Sequence, residues 1–183
     1  MRFSVVALAG IMAASGFAFA QEAPKPEHGT IATVIQEAKT IYGRQKTYVV
    51  AAAEKMPEAN YNFKPTPEIR TYGELFTHIA QVQNMICDII QGKTPPKRAA
   101  QPVTKAAIVA ELKASFDNCD AANASVTAAN AFDMVGKGFF HGTKVGLIGL
   151  NAAHDNEMYG TIAVYLRLKG IVPPSTAART MKK

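Results

Sequence analysis

The chain has 183 residues, 48% of them hydrophobic, with 20 Lys and Arg against 14 Asp and Glu for a formal charge of +6. That length and apolar share suit one domain with a real core, and they exclude a disordered chain or a string of domains. The basic residues are scattered and not interleaved with aromatics, which argues against nucleic acid as a partner. The absence of Trp argues mildly against a sugar platform or a membrane belt.

Residues 1–20 read as a secretory signal peptide. Arg2 gives a positive start, Val5 to Phe19 is apolar and small, and Ala18-Phe19-Ala20 is a cleavage signal before Gln21. The run is too short for a convincing membrane span. The mature chain is expected to be periplasmic or secreted, soluble, and without a membrane span. Residues 21–29, polar and holding two prolines, read as a flexible leader.

The first helix is predicted from Thr30 to about Met56, with apolar residues at 31, 34, 35, 38, 41, 42, 49 and 52. A polar interruption at 43–47 weakens its middle, and Met56-Pro57 ends it. Residues 57–70 hold three prolines and form an extended connection. Thr71 and Glu74 make a capping box for a second helix, which runs to about Gln91 and is stopped by Gly92. Its expected inner stripe is Leu75, His78, Val82, Met85 and Ile89, the three-four spacing of a bundle seam.

A second proline-rich connection spans 92–103. The third helix starts at Thr104 and places Ile108, Leu112, Phe116 and Cys119 on one face. Its end is unmarked, because residues 120–131 are mostly Ala, Asn, Ser and Thr. Residues 132–142, with Gly136, Gly138 and Gly142, read as a loop or lid. The fourth helix runs from about Thr143 to Lys169. Its expected stripe is Leu147, Asn151, His154, Met158, Thr161, Tyr165 and Leu168, and it stops at Gly170 before Pro173-Pro174. The pattern predicts an all-α four-helix bundle over 30–175, followed by a basic tail at 176–183.

Two cysteines in an exported chain point to a disulfide between Cys87 and Cys119. It would close a loop of about thirty residues, worth roughly 3 kcal/mol in the chain-entropy model. The alternative is two inert buried thiols.

His78 and His154 each fall mid-seam, and Met158 follows His154 by one turn, so those last two side chains can reach one point. Bundle cores are where such metal sites are built. From periodicity alone, however, a histidine hydrogen-bonded within the core is the commoner outcome. His141, in the glycine-rich segment, reads as an exposed loop residue, and His28 belongs to the leader. Cys87 lies nine residues from His78, on the opposite face of the second helix. Asp155 is expected to point away from the seam. Tyr165 reads as core with its hydroxyl at the edge, and Arg167 as a ligand contact near the helix end.

Several segments carry a resemblance to a known family. They are A-E-K-M-P-E-A-N-Y-N-F-K-P-T-P-E-I-R-T-Y-G-E-L-F-T-H-I-A from Ala53 to Ala80, H-D-N-E-M-Y-G from His154, and Y-L-R-L-K-G-I-V-P-P. Together they resemble the DinB-like (YfiT-like) family of metal-dependent four-helix bundles. The resemblance implies an up-down-down-up bundle, often dimeric, with a divalent metal held by three histidines. On that pattern His78 supplies the helix-two ligand and His154 the first of a His-x-x-x-His pair. The second of that pair falls on Met158, so the triad is broken at one corner.

Three outcomes stay open for this site. His78 and His154, completed by water or Glu157, would hold zinc or nickel weakly. His78, His154 and Met158 would favour copper(I), since a thioether is a soft ligand. Or no metal binds, and Met158 fills the core. The resemblance implies a metal-dependent transferase or hydrolase-like enzyme acting on an unknown small molecule, in which the metal activates a thiol cofactor. The lost histidine, and export to an oxidising compartment, point instead to a non-catalytic ligand-binding or stress-related bundle. Haem is disfavoured, because His154 and Met158 share one turn and no C-x-x-C-H is present.

Overall fold

The computed structural model describes residues 28–95 and 102–180. The signal peptide 1–20, most of the leader and the last three residues of the tail lie outside them. The elements are α1 (Ile31–Lys55), α2 (Tyr72–Ile90), α3 (Lys105–Ala124), α4 (Lys144–Leu168) and α5 (Pro174–Thr180), with two-residue strands β1 (Met134–Val135) and β2 (Gly142–Thr143) between α3 and α4.

Threonine starts each of the four long helices. The hydroxyls of Thr30, Thr71, Thr104 and Thr143 accept from the backbone N–H three residues on, at 3.1–3.3 Å, satisfying a donor that the first turn leaves orphaned. At α2 the box is complete, because Glu74 Oε2 accepts from Thr71 N at 2.7 Å. Gly170 ends α4 with φ +69°, and the N–H of Ile171 returns to Leu166 O at 2.9 Å. Pro174 then opens α5 from the position where a missing N–H costs nothing. That short helix occupies most of the stretch expected to be a basic tail.

Contacts between helices set their directions. Tyr48 stacks on Tyr159, and Lys55 donates to Val172 O, so α1 and α4 run parallel. Gln83 meets Ser115, and Cys87 meets Cys119, so α2 and α3 also run parallel. Tyr165 reaches back to Arg70 and Asn151 reaches Cys87, so α2 opposes α4. The order is up-down-down-up.

One core joins all four helices. The polar interruption of α1 does not break it, because Gln45 is buried between Tyr42 and Val49. On α2 the buried series is Tyr72, Phe76, Ile79, Gln83, Ile86 and Ile90, one position away from the expected stripe, of which Leu75 alone is buried. His78, Val82 and Ile89 are therefore half-buried, and Met85 is exposed. Helix α4 buries two adjacent stripes, since it touches both α1 and α2. Leu147, Asn151, Met158 and Tyr165 line one and Ile148, Ala152, Asp155, Tyr159, Ile162 and Leu166 the other. Thr161 and Leu168 fall outside both. The expected face of α3 is buried in full, at Ile108, Leu112, Phe116 and Cys119.

Candidate metal centre

The capping box at Thr71 and Glu74 sets where α2 begins, and His78 projects from its second turn at the edge of the buried face. His154 projects from the middle of α4, with only 17% of its side chain exposed. The antiparallel pairing brings the rings together. Nε2 of His78 and Nε2 of His154 stand 3.2 Å apart, with ring planes inclined at 65°. Two nitrogens bound to one tetrahedral zinc at 2.0–2.1 Å stand about 3.3 Å apart. The pair therefore fits two ligands of one metal, and it equally fits a direct N–H···N hydrogen bond between neutral rings.

Asp155 corrects an expectation. It is fully buried, not turned away, and it accepts from Gln83 Nε2 at 3.2 and 3.3 Å. Ser115 Oγ donates in turn to Gln83 Oε1 at 3.4 Å. Burial pushes the Asp155 carboxyl above the usual aspartate range, against the pull of His154 and of the Gln83 amide. Its Oδ1 lies 3.8 Å from Nδ1 of His154, beyond a hydrogen bond. That Nδ1 is buried with no hydrogen-bond partner among the described residues.

Met158 is 8% exposed and belongs to the core cluster. It follows His154 by one helical turn, so it offers a thioether to the same side. Glu157 is exposed, as are His28 and His141. Tyr165 is core, as expected, and its hydroxyl donates to Arg70 O at 2.7 Å. Arg167 instead binds Ala163 O and Thr176 Oγ1 beside α5. Among the described residues, no group of three or more His, Cys, Asp or Glu is gathered closely enough to hold a metal. The donor atoms seen to converge are the two imidazole nitrogens of His78 and His154.

His78 also opens onto a cleft of about 580 Å³, walled by Lys64, Glu68, Arg70, Glu74 and Gln81. Nine residues further along α2 the interior is closed. Cys87 and Cys119 form a disulfide with Cα atoms 5.1 Å apart. The Asn151 amide sits 3.8 and 3.6 Å from the two sulfurs.

The sequence model of the DinB superfamily matches residues 42–162. The chain belongs to the DinB superfamily. The bundle is also similar to the crystal structure of a DinB-like protein from Bacillus cereus ATCC 10987, with a TM-score of 0.64 at 16% identity, covering 79% of this chain and 96% of that one. At that identity the likeness is one of fold. No curated protein matches the chain. The DinB match takes in both histidines and Met158, as well as both cysteines. The Gln83–Asp155–Ser115 network was not anticipated. The signal for it was a polar residue on each true seam, at positions 83 and 155.

Proposed function

We propose that this DinB protein is an exported metal-binding bundle whose site retains two of three histidines. His78 and His154 would hold one ion, with Met158 at the third corner. The observation that carries this reading is the 3.2 Å approach of two Nε2 atoms from different helices. A bound metal would supply Lewis-acid polarisation of a ligand entering from the charged cleft. The chain's own residues would orient that ligand. Lys64 and Arg70 present positive charge and Glu68 and Glu74 negative charge at the cleft, while the buried Gln83–Asp155 pair backs the His154 turn from inside. With one ligand replaced by a thioether, affinity for zinc or nickel is lowered and affinity for copper(I) is favoured. Export rests on residues 1–20 and on the disulfide, which suits an oxidising compartment.

Titration with zinc and with copper(I), against competing chelators, tests this. Both His78→Ala and His154→Ala should abolish uptake. Met158→Leu should weaken copper(I) and leave zinc nearly unchanged. Uptake that survives both histidine changes would overturn the assignment.

A second reading has its own observation. The same 3.2 Å contact serves as a hydrogen bond in a metal-free core, with Met158 as packing. It predicts that His78→Ala alters nothing but local stability.

A further inference from the structure

The pole of the bundle opposite the charged cleft carries an apolar tip. There the start of α1, the ends of α2 and α3 and the start of α4 meet. Lys39 of α1 donates to Val126 O beyond α3 at 3.2 Å, and Val145 N of α4 donates to Ala131 O at 3.0 Å. Between α3 and α4 the chain forms a short ribbon, β1 against β2, with Met134 opposite Thr143 and Val135 opposite Gly142.

The ribbon is a built element. Gly136 has φ +76°, and a Cβ there would collide with the Phe140 carbonyl and lie 3.1 Å from Ile89 of α2. Only glycine fits that turn. Phe140 packs on the core, and Asp133 pairs with Lys144 at 3.4 Å. Yet the ribbon presents three large apolar side chains to water: Phe132 at 66%, Met134 at 58% and Phe139 at 82% exposed. Phe132 lies in the turn before β1 and Met134 at the start of the strand. Lys137 at the turn of the ribbon is exposed, as is Lys93 just after α2 at the same pole.

We propose that this ribbon seats the protein on an anionic lipid surface. Phe132, Met134 and Phe139 would enter the interface, and Lys137 and Lys93 would meet the headgroups. The charge is complementary, since the acidic residue of the ribbon is already tied to Lys144 while Lys137 is exposed. The area also favours lipid over protein. Three such side chains offer roughly 300–400 Å², below the about 500 Å² per partner that a specific protein interface needs. An apolar wedge with flanking lysines is enough for reversible bilayer contact.

The chain has no Trp, so Phe139→Trp in the mature protein gives a single reporter at an exposed position. With vesicles of equal phosphatidylglycerol and phosphatidylcholine, the indole emission should shift to the blue and be quenched by brominated acyl chains. Pure phosphatidylcholine should give a weaker shift. In sedimentation, the double change Met134→Ser and Phe139→Ser should lower the bound fraction about tenfold, with the melting temperature unchanged. Lys137→Glu should weaken binding to the mixed vesicles most at low salt. The proposal is overturned if the indole keeps its water-exposed emission on anionic vesicles, or if the double change leaves binding intact. A blue shift that grows with protein concentration without lipid would also overturn it, by assigning the tip to a second copy.

Discussion

Two stretches of the α2–α4 interface, roughly 13 Å apart along the helix, handle buried polar atoms in opposite ways. At the disulfide, Cys87 and Cys119 are fully buried, and Asn151 sits against both sulfurs. Nothing there opens to solvent. At the histidine pair, two ring nitrogens face each other at 3.2 Å, one further nitrogen has no hydrogen-bond partner among the described residues, and a charged cleft leads outward. Between them Gln83 and Asp155 form the partition. The first region is arranged for stability, and the second is the one proposed to take a ligand. Changes to the first should therefore act on melting, and changes to the second on uptake.

The largest effect is expected at the closed end. Cys87→Ala with Cys119→Ala should cost roughly 3 kcal/mol, a fall in melting temperature of about 6–12 °C, with metal uptake retained. Lost uptake in a folded variant would break the division between the two regions. At the partition, Gln83→Ala leaves the Asp155 carboxylate without its amide donor and should cost about 2 kcal/mol by thermal denaturation. At the open end the order reverses. Met158→His should raise zinc affinity about 10- to 100-fold while lowering the melting temperature of the metal-free protein, because an imidazole replaces a core methionine, as calorimetric titration and melting together would show.

The smallest effect concerns Glu74, at the rim of the cleft. The Thr71 backbone N–H holds its carboxyl below the usual glutamate range. Its folded value is lowered relative to the unfolded one. The stabilisation is therefore complete above the ordinary glutamate range, and it is lost as pH falls through the folded value. Glu74→Gln should remove that acid-side slope and change stability at neutral pH by no more than about 0.5 kcal/mol, because the group is exposed.

The four helices, their threonine caps, the glycine stops and the face of α3 could all be read from the chain, because each rests on local chemistry. The seams of α2 and α4 could not be placed so well. Helix α2 is apolar at so many positions that two stripes compete, and the true one is interrupted by Gln83. Helix α4 packs on two neighbours, so a single stripe underestimates its buried face and hides Asp155. The pairing of His78 with His154 followed from the DinB resemblance. Periodicity had put His78 at the centre of the seam, whereas it stands at the edge, where a cleft can reach it. The exposed side chains of the ribbon at 132–143 gave no signal in sequence, because the path of the segment is set by two positive-φ glycines, Gly136 and Gly138.

In the proposed site two imidazoles from different helices hold one ion. Elemental analysis of the mature protein, purified without added metal or chelator, tests it most directly when paired with His78→Ala. About one zinc, nickel or copper per chain is expected in the first and none in the second. A metal-free protein that also takes up neither zinc nor copper when offered would contradict it, and would leave the 3.2 Å contact as a hydrogen bond in a core that Met158 has closed.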